Sequence, residues 1–401
     1  MPTTTSTVGR SRDPERGRLR HWLLSITCGL GVLTVALAAG AAERPVVIGA
    51  LYNLTGDQKD LDGPSSRGAQ LAIDEANKAG GVLGRPIELV LIDGETKPDV
   101  IASETAKLLA QQPALSGLIG FSDTDMVLAA ARLAAKRHRL FLTSGATSPD
   151  LPRQVPGYLF LACFGDNAQA AAGAEWAVKT LKARTAVVLY NGAASYSRLL
   201  HGYFEARFKR LGGSVLTARP YTPETFEQIV SDLPSADLVY IAALPDDAVP
   251  TVGILRDRGV KAPILGGDGF DVGDAWQQLG HADNIYFTTH AYLGADSADP
   301  RVQAFRMLYV KAYPGDEPGA FAALGYDTAR LLLNAIKSAG SADPAAVLKA
   351  LAATKAFAGV TGTIGYKGAS HIPVKPVSII KVSQGRQSLA ASVVPEQVPQ
   401  P

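Results

Sequence analysis

From residue 46 onward the chain alternates short, almost wholly apolar runs with longer stretches whose apolar positions recur every three or four residues. Residues 46–52 form a β-rich run. Residues 65–79 follow with Ala69, Ala72, Ile73 and Ala76 at helical spacing, and end at Gly80-Gly81. The rhythm continues through strands at 87–92, 118–119 and 140–142 and helices at 100–110 and 126–135. It resumes after residue 165, with a helix to about residue 181 and strands at 186–190, 215–217, 238–241 and 264–265. Helices at 198–211, 226–231 and 248–258 separate these strands. A strand that is apolar on both faces is covered on both faces, which predicts parallel sheets flanked by helices, an α/β fold. Two such runs in 401 residues predict two doubly wound, Rossmann-like lobes.

The last third departs from this rhythm. Helical stretches at 302–313, 321–338 and 344–351 come close together, followed by short strands at 362–366 and 377–382 and a Pro/Gln/Ser-rich end. Helices returning this late imply that one lobe is completed only after the other is built. The chain then crosses between lobes more than once, which makes a hinge.

Net charge is +2. Arg10, Arg12, Arg16, Arg18 and Arg20 against Asp13 and Glu15 give residues 1–42 an excess of three, leaving the rest at −1. No concentrated basic face is present to attract a nucleic acid. The arginine-rich start, the apolar run at 23–37 and the small residues 38–42 read as a signal peptide, cut after Ala41 or Ala42. An uncleaved anchor is the alternative, since 23–39 approaches spanning length. Export makes the mature protein periplasmic. With Cys28 removed, Cys163 has no internal disulfide partner and reads as a small buried residue.

In open parallel sheets ligands sit beyond the carboxyl ends of strands. Two such loops are rich in hydroxyls: Ser122, Asp123, Thr124 and Asp125 ahead of the helix at Met126, and Thr143-Ser144-Gly145-Ala146-Thr147-Ser148. Hydroxyls and free N–H groups at a helix start suit a carboxylate; the same residues also serve as caps and turns. An ammonium needs an acceptor, and Asp268, between Gly267 and Gly269, offers one, although Gly-Asp-Gly is also a turn sequence. Tyr196, in another strand-to-helix loop, can stack on a ligand or pack against its helix. Nucleotide-binding glycine loops and the Gly-x-Ser-x-Gly elbow are absent, and the six histidines show no metal-ligand spacing. No cofactor and no metal is expected.

Leu54-Thr55-Gly56, the stretch from Gly68 to Asn77 continuing through Gly80-Gly81-Val82-Leu83-Gly84-Arg85, Ile119-Gly120, Gly145-Ala146-Thr147, the Tyr196 loop and Gly325-Tyr326-Asp327 together carry a resemblance. From about residue 46 to about 366 the chain resembles the branched-chain amino-acid-binding proteins of bacterial ABC transporters, in the type I periplasmic binding protein superfamily. The resemblance implies two α/β lobes joined by three crossing strands, with ligand in the cleft. It divides the chain into a signal peptide (1–42), a first lobe (43–164 and 291–366), a second lobe (165–290 and 367–386) and a flexible tail (387–401).

It also implies roles. Thr124, next to Ser122, matches a hydroxyl for the ligand carboxylate, Gly145 and Ala146 a stretch offering backbone groups, and Thr147 a second hydroxyl. Tyr196 matches a tyrosine reaching over from the second lobe, and Asp268 an acidic position, commonly Glu, for the ammonium. Leu61 stands where an aromatic often lines the cleft, and Leu244 or Ala243 where a second-lobe aromatic does. The function implied is a non-enzymatic, monomeric solute-binding component serving an inner-membrane ABC permease. Its ligand is a small zwitterion or carboxylate, a branched-chain amino acid by default. The alternative is a periplasmic sensor for amides or small carboxylates.

Overall fold

The computed structural model describes residues 44–280, 282–368 and 370–401; the signal-peptide assignment for 1–42 lies outside the described residues. The first lobe opens with β1 (Val46–Tyr52), α1 (Lys59–Lys78), β2 (Ile87–Asp93), α2 (Pro98–Gln111), β3 (Gly117–Gly120), α3 (Thr124–Lys136), β4 (Phe141–Thr143), α4 (Leu151–Gln154) and β5 (Leu159–Leu161). These strands form one parallel sheet in the order β2-β1-β3-β4-β5. Every residue of β1 is buried. Val46, Ile48, Ala50 and Tyr52 pack against α1, while Val47 and Leu51 face the opposite core with Ile101 of α2 and Val127 of α3. The period of two explains this division and the unbroken apolar run.

The second lobe contains α5 (Asp166–Trp176, running on into a wider turn at Ala177–Leu181), β6 (Thr185–Asn191), α6 (Ser195–Arg210), β7 (Ser214–Tyr221), α7 (Phe226–Ile229), β8 (Leu238–Ala242), α8 (Pro245–Asp257), β9 (Ile264–Gly266) and β10 (Ile285–Thr289). The chain then returns to the first lobe with α9 (Pro300–Ala312), α10 (Ala320–Ala339) and α11 (Pro344–Ala352). A two-stranded hairpin follows, β11 (Phe357–Gly359) and β12 (Gly362–Ile364), and β13 (Val377–Ser383) and β14 (Arg386–Val393) close the second lobe. Its sheet has the order β14-β13-β10-β9-β8-β6-β7, with β13 and β14 antiparallel.

Short-range signals set the helix starts. Asp299 and Asp343 cap α9 and α11, accepting from the backbone N–H groups of Arg301 and of Ala345 and Ala346, and each precedes a proline at the first helical position. Helices α1 and α10 touch backbone to backbone. A Cβ on Gly68 would lie 1.9 Å from the Ala322 carbonyl oxygen, and one on Gly325 would lie 1.8 Å from that of Ser65. Two of the sequence stretches that carry the resemblance therefore act in packing. Asp327, beside Gly325, accepts from the N–H groups of Val360 and Thr361 and from the Thr361 hydroxyl, pinning the β11–β12 turn.

Three connections join the lobes: 162–165, 290–299 and 365–376. They are fastened together. Lys375 Nζ, in the third, donates to Ala162 O in the first at 3.1 Å and to Thr361 Oγ1 at 2.5 Å. Tyr366 OH donates to Leu161 O, and Leu161 N donates to His371 O. Phe164 of the first stacks on His290 of the second, with ring centroids 4.0 Å apart.

The expected flexible tail at 387–401 is corrected. Residues 386–393 pair with β13 through a two-residue turn, Gln384-Gly385, with φ of 50° and 72°. Beyond it the N–H groups of Glu396 and Gln397 bind the buried Glu175, which also pairs with Arg207 at 2.6 Å. The polar composition belongs to a solvent-facing edge strand. The expected strand at 362–366 is shorter, ending at Ile364.

Candidate functional site

The strand-end loops of the two sheets face each other across one cavity. From the first lobe it is lined by Leu61, Ser122, Asp123, Thr124, Thr147 and Phe321, and from the second by Tyr196, Leu244, Pro245, Asp268 and Gly269. Six of the eight residues singled out from sequence thus meet here: Leu61, Ser122, Thr124, Thr147, Tyr196 and Asp268. Gly145 and Ala146 do not line the cavity. Gly145 lies behind Ser122, close to Phe321. Ala146 is fully buried, its methyl in the first-lobe core and its carbonyl oxygen 3.3 Å from the Cys163 thiol. Of the two alternatives at 243–244, Leu244 reaches the cavity and Ala243 packs in the core. The cavity is narrow, about 20 Å³.

Asp268 is held from three sides. Tyr196 OH donates to Oδ1 at 2.7 Å, Gln169 Nε2 to the same oxygen at 3.0 Å, and His290 Nε2 lies 3.0 Å from Oδ2. Gln169 Oε1 in turn accepts from Asp268 N and from the Thr288 hydroxyl. Burial alone would raise this carboxyl, but His290, Tyr196 and Gln169 more than offset it and hold it below the usual carboxylate range. Burial lowers the His290 imidazole. Its Nδ1 has no partner.

On the opposite wall, Ser122 Oγ and Thr124 Oγ1 are buried without hydrogen-bond partners. They stand at the start of α3, where Asp123 accepts from Asp125 N at 2.8 Å. Burial, with repulsion from Asp125, pushes the Asp123 carboxyl up to about 6. Beside Ser122, Asp62 accepts from Asn53 N at 2.8 Å, and burial raises it to about 7.

Sequence reasoning missed Asp166. Its N–H donates to Thr147 O at 2.8 Å, placing it just behind the cavity wall. It is fully buried and neither carboxylate oxygen has a partner. Burial and repulsion from Asp268 push it well above the usual range. Its one sequence signal is an acid in the first turn of a helix that follows a connection between lobes. Phe321, Gln169 and His290 were missed as well, because they arrive from the first turns of α10 and α5 and from a lobe connection, rather than from strand-end loops. Among the described residues no group of three or more His, Cys, Asp or Glu could hold a metal ion.

Two doubly wound lobes that meet over a cavity of mixed polar and apolar lining define the class of hinged, two-lobed solute receptors. The chain belongs to the periplasmic binding protein family, whose model matches residues 45–387. The Leu/Ile/Val-binding protein homolog 3 of Brucella melitensis is 26% identical over 354 residues, spanning 87% of this chain and 94% of its own. The fold matches the structure of the branched-chain amino acid transporter substrate binding protein LivJ from Streptococcus pneumoniae in complex with isoleucine, with a TM-score of 0.78 and 28% identity over 88% of this chain and 99% of that one. It also matches the leucine binding protein LivK from Thermotoga maritima, with a TM-score of 0.76 and 28% identity over 87% and 99%. Family and fold are those of substrate-binding proteins.

Proposed function

We propose that the chain is the periplasmic solute-binding component of an ABC importer, closing on a small amino-acid-like solute and presenting it to a membrane permease. The observation that carries this reading is the pairing, across one cavity, of unpartnered hydroxyls on one wall with a buried carboxylate on the other. The Ser122 and Thr124 hydroxyls offer donors to a carboxyl or carbonyl oxygen, and Asp268, with Asp166 behind Thr147, offers acceptors to an ammonium. Leu61, Leu244, Pro245 and Phe321 supply apolar wall for an aliphatic side chain, with leucine-like amino acids as reference ligands. Closure around the solute excludes water and strengthens these charge-assisted hydrogen bonds.

The solute docks first on the first-lobe hydroxyls, and Tyr196 and Asp268 arrive as the lobes rotate together. The signal-peptide pattern in the sequence of residues 1–42 supports a periplasmic location, and mass spectrometry of the mature amino terminus tests it by locating the cut. A thermal-shift screen of amino acids, amides and small carboxylates tests the function, because a ligand that binds only the folded state raises the melting midpoint by mass action. A panel that moves nothing would refute the reading.

A further inference from the structure

The start of α3, where a solute's carboxylate would rest, already carries negative charge of its own. A helix amino end attracts anions through its free N–H groups and dipole. In this chain Asp123 occupies that end, accepting from Asp125 N at 2.8 Å, and Asp123 also lines the cavity. Asp125 adds a second carboxylate in the first turn. Across the cavity stands Asp268, and behind Thr147 lies Asp166, fully buried with both oxygens unpartnered.

Among the described residues, no Lys, Arg or His lines the cavity to balance these acids. Two cationic groups of the hinge are engaged elsewhere. Lys375 Nζ is bound to Ala162 O and Thr361 Oγ1 in the hinge, and His290 Nε2 is spent on Asp268 Oδ2 at 3.0 Å. Charging Asp123 or Asp166 in this buried setting is costly, and a cation relieves that cost where a second anion adds to it. The unpartnered Ser122 and Thr124 hydroxyls can donate to an uncharged carbonyl oxygen, a weaker bond than one to a carboxylate but one that brings no second anion into the cavity.

We infer that the cleft selects a monocationic solute, a primary ammonium on an apolar skeleton whose polar head is uncharged, as in an α-amino amide, over the zwitterionic amino acid. This rests on the amino-acid-like reading of the same cleft and narrows it to one charge class. The ammonium answers Asp268 and Asp166, the amide carbonyl accepts from Ser122 and Thr124, and the amide N–H₂ faces Asp123 where a carboxylate would be repelled.

Titration calorimetry of the full mature chain near neutral pH, with L-leucinamide, L-leucine and isovaleramide, tests the inference. Leucinamide is expected to bind about tenfold or more tighter than leucine, and isovaleramide, which lacks the ammonium, weakest of the three. Asp123→Asn keeps a side-chain oxygen for the Asp125 N–H and removes the charge, so it should cut the leucinamide-to-leucine ratio about tenfold, with a thermal melt showing that the variant is folded. Leucine binding tighter than leucinamide in the unaltered protein, or a ratio unmoved by Asp123→Asn, overturns the inference while the amino-acid-like reading stands. Binding of none of the three overturns both.

Discussion

The backbone N–H of Ser195, at the start of α6 in the second lobe, donates to Asp125 Oδ2, at the start of α3 in the first, across 3.2 Å. Two helix amino ends are thus brought face to face with one carboxylate between them, where the dipoles alone would repel. This contact exists only when the lobes are together. Asp125→Ala is therefore expected to speed ligand release roughly two- to fivefold, with little change in thermal stability, since the side chain is exposed. Stopped-flow dissociation measures this, and an unchanged off-rate would show that the contact does not hold the lobes.

Tyr196 acts through Asp268 as well as through its own surface. Tyr196→Phe removes the 2.7 Å bond to Asp268 and the weaker one from Gly269 N while keeping the ring in place. A lost bond to a charged group corresponds to about 1.5–3 kcal/mol, so ligand affinity should fall by about tenfold or more. Calorimetry that gives equal affinities would remove this pair from the binding step. Thr147→Ala is expected to cost a similar amount, with the same readout.

Asp62 and Asp123 make the unliganded protein sensitive to pH in a defined direction. Both carboxyls are pushed up by burial, to about 7 and about 6, so the folded chain holds these protons more tightly than the unfolded one. Their contribution to stability is complete below about pH 4, where unfolded carboxyls are protonated, and is lost as pH climbs through about 6 and 7. Asp62→Asn keeps an acceptor for Asn53 N without the charge. It should raise the melting midpoint near pH 8, by the equivalent of about 1–3 kcal/mol, and change it little near pH 4.5. A midpoint unchanged near pH 8 would contradict the burial of this charge.

Gly68→Ala and Gly325→Ala each drive a methyl into a carbonyl oxygen of the facing helix. Overpacking of this kind costs about 1–3 kcal/mol or more, and backbone cannot rotate aside as a side chain can. Urea unfolding should show a lower midpoint for each, with ligand affinity preserved in the fraction that folds. Midpoints equal to that of the unaltered protein would mean that the helices can separate at no cost.

Much of the fold was legible because its signals are local. Val46–Tyr52 is apolar at every residue because both faces of β1 are covered, and the helical stretches expected at 302–313 and 344–351 fall on α9 and α11. β11 and β14 escaped notice for physical reasons. The first is three residues long, and the second is a polar edge strand whose pairing depends on the Gln384-Gly385 turn. The site divides the same way. Thr124, Thr147, Tyr196 and Asp268 follow strands, where parallel topology places ligands, so their meeting was readable. Asp166, Gln169, His290 and Phe321 reach the site through the return of the chain from one lobe to the other, and no window of sequence contains that information. Ala146 lies beside residues that face the cavity, yet its methyl turns inward, a choice decided by the core.

The bond from Lys375 to Ala162 has a consequence for how the molecule opens. With the first and third connections tied by a buried ammonium, and the first and second by the Phe164–His290 stack, none of the three can flex alone. The halves have in effect one path of separation, like covers turning on a single stitched spine. A solute is admitted or released along that path only, and a substitution at Lys375 would be felt in the width of the opening before it was felt in any contact with the guest.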